Sequence, residues 1–156
     1  MNKGLAAAAE ARGWRGTPFR WQDSIKGPEG GCDCKGLISG VARECGFPEA
    51  QSIYASMATY SPKRPVPCPL LIEGLHAVFD KIAFDRRELI PVEIEAGDVL
   101  LVRYRGRPQH LAIVTEPGAA GLAVHAQIGP KDWVKETRLD VLLRAYPLHS
   151  VFRWRA

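Results

Sequence analysis

The sequence predicts an α+β fold in which helices come first and an antiparallel sheet follows. Three observations predict it. Apolar residues recur at helical spacing in the first half, at Cys34, Leu37, Ile38, Val41 and Cys45, and again at Leu71, Leu75, Val78, Phe79 and Ile82. From Val99 onward, short apolar runs alternate with turns marked by Gly and Pro. The chain of 156 residues, 46% hydrophobic and 24% charged, has the size and apolar content of one domain spanning 1–156 with its own core. Helices segregated from a meander of strands form the α+β pattern.

Residues 3–12 read as a short alanine-rich helix ended at Gly13, because alanine is the strongest helix former. Residues 13–33 read as a loop punctuated by Gly and Pro that carries Trp14, Phe19 and Trp21. Asp33 stands where an N-cap would, so a helix is expected over 34–45, stopped by Gly46-Phe47-Pro48. Gly36 and Gly40 are four apart, which would allow that helix to pack closely on a neighbour. Residues 49–69, with Pro62, Pro65, Pro67 and Pro69, read as a loop holding a short helix near Ile53–Met57. A one-sided helix is expected over 70–82. After Pro91 come a turn at 95–98 and strands at 99–104, 109–115 and 122–127. Residues 134–137 fit a short fourth strand, 139–144 a helix and 150–154 a closing strand. No internal repeat or low-complexity segment interrupts this order.

Composition narrows the function classes. The net charge is +4, but the basic residues are scattered and form no long run, so a nucleic-acid module is not expected. A mild basic excess fits a solvated surface as well as it fits attraction to an anionic envelope. No stretch approaches the roughly 20 apolar residues of a membrane span. The beginning of the chain, MNKGLAAAAEARGW, lacks the apolar core and cleavage site of a secretion signal. The expected place of synthesis is therefore the cytosol, where Cys32, Cys34, Cys45 and Cys68 would stay reduced.

One of these cysteines stands out. Cys34 opens a helix, where free backbone N–H groups and the helix dipole both favour a thiolate. The same N–H groups could hold the oxyanion of a tetrahedral intermediate. Cys45 lies at the opposite, unfavourable end, Cys32 in the preceding loop and Cys68 in the proline-rich segment. A thiol nucleophile needs a base, and the base an orienting partner. His110 and His125 lie on expected strands joined by a short turn, so they can be neighbours across a hairpin. If both point to the face covered by the Cys34 helix, a triad results. His76 and His149 lack such a setting. Residue types alone also admit a buried packing cysteine with structural histidines, or a redox protein. A zinc site is a further alternative, although Cys-x-Cys with irregular separations matches no standard zinc spacing.

The stretches Gly16-Thr17-Pro18-Phe19-Arg20-Trp21, Gly31-Cys32-Asp33-Cys34-Lys35-Gly36-Leu37, Gly97-Asp98-Val99-Leu100, His110-Leu111-Ala112-Ile113-Val114 and His125-Ala126 occur in that order. This series resembles the NlpC-type cell-wall peptidases, a papain-like cysteine peptidase family. The Gly-Cys-Asp-Cys loop and the ending Phe152-Arg153-Trp154 are most similar to its phage-tail and gene-transfer-agent branch. The resemblance implies Cys34 as nucleophile, His110 as general base and His125 as the orienting third residue. It implies that Asp33, Trp21, Phe19 and Lys35 shape the substrate pocket, with no metal or organic cofactor. The implied reaction is hydrolysis of the bond between D-glutamate and the diamino acid of peptidoglycan stem peptides. The implied partners are peptidoglycan and other tail or baseplate proteins, the particle carrying the chain from the cytoplasm to the wall. Three positions depart from the family pattern: Phe19 replaces a tyrosine, Lys35 a serine, and Gln22-Asp23 a Gly-Gly pair. They leave open a structural tail protein on the same fold, or a hydrolase of another amide, ester or thioester.

Overall fold

The computed structural model describes residues 2–57, 68–127 and 133–156, and no side chain is described over 54–57. Helix α1 (Lys3–Arg12) starts at Asn2, whose side chain accepts from the Leu5 N–H at 3.1 Å. It presents Ala7 and Ala11 to the core. The loop that follows contains two strands too short to read from periodicity, β1 (Ser24–Ile25) and β2 (Gly31–Cys32), paired antiparallel. Helix α2 (Cys34–Glu44) begins where Asp33 was expected to cap it, and its Leu37, Ile38 and Val41 are fully buried.

The two glycines of α2 allow the close approach their spacing suggested. A Cβ at Gly36 would meet the Asp23 carbonyl, and one at Gly40 would meet the indole of Trp14. The Ser24 hydroxyl donates to the Gly36 carbonyl at 2.6 Å, and Arg43 donates to the Ser24 carbonyl at 2.7 Å. The segment before β2 is thus strapped along α2, which fixes the start of that helix.

Helix α3 (Ala50–Met57) is longer than the short helix expected there. The expected loop at Pro62, Pro65 and Pro67 lies outside the described residues. Helix α4 (Cys68–Val78) starts earlier and ends earlier than expected. Pro69 is tolerated because it lies in the first turn, where its N–H would lack a helical partner anyway. Cys68 therefore opens a helix rather than lying in a loop. The expected helix over 70–82 is corrected at its end: β3 (Phe79–Ile82) pairs antiparallel with the last strand, Phe79 opposite Trp154 and Ile82 opposite Val151. The ladder outcompetes the last helical turn because Phe79 also packs edge-on against Trp154, with ring centroids 4.7 Å apart.

The remaining strands are β4 (Val99–Tyr104), β5 (Arg107–Glu116), β6 (Leu122–Ala126), β7 (Val134–Arg138) and β8 (Leu148–Trp154), with helix α5 (Leu139–Ala145) before the last. They form one six-stranded antiparallel sheet in the order β3-β8-β4-β5-β6-β7. Both faces of the sheet are covered. On one face Leu101, Leu111, Ile113 and Val124 pack against Leu37, Ile38 and Val41 of α2, with Ala7 and Leu75 beside them. On the other, Leu100, Ala112, Val114 and Ala123 pack against Leu139, Leu142 and Leu143 of α5. Asp98, almost fully buried, is held by Arg153 through bonds of 2.9 and 2.8 Å, tying the turn before β4 to β8. Among the described residues, no helix is long and apolar enough to cross a membrane.

Candidate active site

The site is assembled at the N-terminus of α2. The Asp33 carboxylate accepts from the Gly36 N–H at 2.7 Å and, with its other oxygen, from the Gln22 N–H at 2.9 Å. Its carbonyl accepts from Leu37 N–H at 2.9 Å. Asp33 is 1% exposed, so its side chain is an internal brace that joins the 19–22 loop to the helix start. Burial raises its carboxyl above the usual range, while the two N–H groups pull the other way.

Cys34, the first residue of α2, is 6% exposed. Its thiol lies beside the backbone of β5, where it donates toward the Gln109 carbonyl at 3.8 Å. The backbone N–H groups of Leu111 and of Lys35 favour the thiolate form of the same sulfur. His110 is the residue between Gln109 and Leu111. The sulfur is therefore placed along β5 at the position of His110. The Lys35 Nζ lies 3.9 Å from it. Helix position alone suggested a lowered thiol pKa. In the structure burial dominates and raises it, the Lys35 charge opposes that rise, and the Asp33 charge adds to it. Burial also raises the Cys32 thiol, with the Asp33 charge contributing.

The two histidines do share one face of the sheet. His125 is opposite Ala112 in the β5–β6 ladder, and His110 lies two residues before Ala112. Their rings meet edge-on, and His110 Nε2 is 3.1 Å from His125 Nδ1. That face is covered by α5, however, and not by α2. The His110 ring packs on Tyr146, which belongs to the α5 side, with centroids 5.4 Å apart. The expectation that the Cys34 helix covers the histidine face is thus corrected by strand alternation. The large side chains of Leu111 and Ile113 take the α2 side, so His110, Ala112 and Val114 turn to the other. The thiol meets β5 at the Gln109 backbone carbonyl, while the imidazoles hang from the α5 face.

The hydrogen bonds continue past His125, whose Nε2 is 3.0 Å from the Thr137 hydroxyl. His110 Nδ1 is buried with no hydrogen-bond partner. One proton arrangement explains all three facts. His125 donates from Nε2 to Thr137 and accepts at Nδ1 from His110 Nε2–H, which leaves a bare lone pair at His110 Nδ1. The reverse arrangement would strand a buried N–H there. Both rings are neutral at ordinary pH. Burial, with the charges of His125 and Lys35 adding, lowers the His110 pKa to about 3. Burial, with Lys135 adding, lowers that of His125 to about 4.

The other expected pocket residues stand at the rim. Phe19 is half-buried and packs edge-on against Trp21, centroids 5.1 Å apart, and Trp21 is 38% exposed. Phe19 bridges to Cys32 and Pro18 to Trp133, which is also exposed. Trp133, Thr137 and Tyr146 did not emerge from the sequence. Alternation along β7 could have turned Thr137 toward the histidine face, but the β6–β7 register needed for that lies in the fold. His76 packs on Phe152, and His149 is 2.7 Å from the Ser150 hydroxyl, so neither joins the site. All four cysteines are free thiols. Among the described residues no three His, Cys, Asp or Glu side chains are grouped so as to hold a metal ion.

A thiol at a helix start, a buried imidazole with a bare nitrogen, and a second imidazole fixing its tautomer are groups that nucleophilic acyl transfer uses, although no hydrogen bond joins the Cys34 sulfur to His110 Nδ1. No family model matches the chain, and no curated protein matches it.

Proposed function

We propose that the protein is a papain-like cysteine endopeptidase that hydrolyses the D-glutamyl–diamino acid bond of peptidoglycan stem peptides, as a component of a phage-like tail. The observation that carries the catalytic part is the unpartnered His110 Nδ1, held by the His125–Thr137 chain in the strand alongside which the Cys34 thiol lies. The substrate and the particle rest on the ordered resemblance of five sequence stretches to NlpC-type peptidases. The exposed aromatic rim of Trp21 and the +4 charge are compatible with an anionic, sugar-bearing polymer.

In this reading the Cys34 thiol, which makes no hydrogen bond to His110 in the resting structure, swings to His110 Nδ1 when substrate binds, and that nitrogen takes its proton as the sulfur bonds to the carbonyl carbon of D-glutamate. The N–H of Lys35 at the helix start faces the developing oxyanion. The carbon–nitrogen bond then breaks, and His110 returns the proton to the leaving amine of the diamino acid. Water, activated by the same nitrogen, hydrolyses the thioester and regenerates the thiol. His125 and Thr137 hold the ring in the tautomer that makes this possible.

The burial of Cys34 and its raised pKa favour a second reading, a structural tail protein on the same fold with weak or lost activity. Release of soluble fragments from isolated cell walls separates the two. The enzyme reading expects release by the native protein and none by Cys34→Ala or His110→Ala variants of native circular dichroism. Equal release by all three, or by none, would set it aside.

A further inference from the structure

Basic residues that are scattered in the sequence gather at one end of the fold. Lys81 lies on β3, Arg86 on the loop after it, Arg103, Arg105 and Arg107 on the β4–β5 hairpin, and Arg144 in the last turn of α5. His149 marks where several of them converge. Burial lowers its pKa, and the charges of Arg103, Arg86 and Lys81 add to that shift. Arg86 donates to the His149 carbonyl at 3.0 Å, and the Arg103 N–H donates to the Pro147 carbonyl at 2.8 Å. Among the described residues, none of these six cations forms an ion pair with a carboxylate, whereas Arg12, Arg15, Arg138, Arg153 and Arg155 all do. Two features accompany the charge. A cleft of about 380 Å³ opens beside Phe84, Leu89 and Leu148, with Arg86, Arg87 and Glu88 also lining it, and Leu89 is 40% exposed. The rings of Tyr104 and Tyr146 lie 6.0 Å apart, and the Arg105 guanidinium lies over Tyr104 at 5.4 Å. The hairpin tip itself is unusual. Arg105 and Gly106 are the central residues of its two-residue turn, with φ of 51° and 79°. Asparagine or glycine suits that left-handed position better, so an arginine stands there against local preference.

We infer that this end of the protein docks on a bilayer surface rich in anionic phospholipid, its unpaired arginines meeting the headgroup phosphates and the cleft beside Leu89 meeting the hydrocarbon below them. A soluble polyanion such as a nucleic acid would engage the cations but has no counterpart for Leu89 and Phe84. A lipid interface sets negative charge directly against hydrocarbon and satisfies both. Tyrosine and arginine suit that boundary, because each has an apolar body and a polar end. The positive φ of Arg105 then has a reason, since it carries a charge to the outermost point of the hairpin. The inference does not depend on Cys34 as nucleophile and goes beyond the endopeptidase reading.

The test sediments the whole chain with phosphatidylcholine vesicles that contain or lack phosphatidylglycerol. Binding should require the anionic lipid and weaken as salt is raised. A basic residue at an anionic surface strengthens partitioning about fivefold, so Arg105→Asn should weaken binding about fivefold and Arg105→Asn/Arg107→Gln about 25-fold. Asparagine fits the turn, so Arg105→Asn should keep or raise Tm, which separates lost docking from lost structure. Leu89→Ser should also weaken binding, while the charge-matched Arg15→Gln/Arg20→Gln protein should lose far less than the hairpin double variant. Four results would each overturn the inference: equal binding to the two kinds of vesicle, equal losses in the two double variants, native binding by Leu89→Ser, or tighter binding to duplex DNA than to vesicles at matched phosphate. None of these readouts involves cell-wall cleavage, so a failure here is distinct from a failure of the endopeptidase reading.

Discussion

Acidification should destabilise this protein through two particular side chains. His110 and His125 are each 3% exposed, with folded pKa values of about 3 and about 4 against an ordinary 6.5. A base whose pKa is depressed by folding contributes stability that is complete above the unfolded value. That stability is lost as pH falls from 6.5 toward the folded value, because the unfolded chain then binds more protons. At pH 5 both folded rings are still neutral, so the loss is set by the unfolded imidazole alone. One and a half units at about 1.4 kcal/mol each give about 2 kcal/mol per ring and about 4 kcal/mol for the pair. Asp33 works in the opposite sense, since a carboxyl raised by folding gains stability as pH falls. The comparison must therefore be internal. Urea unfolding at pH 8 and pH 5 should show the native protein losing about 4 kcal/mol more than a His110→Asn/His125→Asn double variant. Equal losses in the two proteins would refute the buried, neutral relay. The same reasoning expects kcat/KM to lack an acid limb at the ordinary imidazole midpoint.

Other perturbations probe the supports of the site. Asp33→Ala removes the cap of α2 and strands the Gln22 N–H, and should lower urea-unfolding stability by about 2–4 kcal/mol, with Asn losing less. Gly40→Ala drives a methyl group into the Trp14 ring and should lower stability by about 1–3 kcal/mol, visible as a reduced Tm. Thr137→Val leaves His125 Nε2 unpaired and should cost about 1–3 kcal/mol of stability while lowering kcat more than KM changes. An unchanged kcat in that variant would remove Thr137 from the relay.

Much of this arrangement was legible in the residues. The start of α2 followed from Asp33 and a clear apolar stripe, and the β4–β5–β6 meander from alternating runs between turns. What escaped was set by tertiary pairing. Phe79 and Ile82 fit a helical stripe as well as a strand, and only the partner β8 decides between them. Strands β1 and β2 are two residues each, too short for any period to register. The shared face of His110 and His125 was an open condition in the sequence, and alternation met it. The opposite placement of α2 was available too, since Leu111 and Ile113 are the larger pair and suit the stripe of Leu37, Ile38 and Val41. The thiol pKa could not be read, because helix position favours the thiolate while burial, a property of the whole fold, opposes it.

The central claim is tested most directly by mass spectrometry of purified peptidoglycan fragments incubated with the protein, beside a Cys34→Ser control. The account predicts new fragments cut after D-glutamate with the native protein and none with the control. An intact fragment pool in both, or the same new fragments in both, would contradict it.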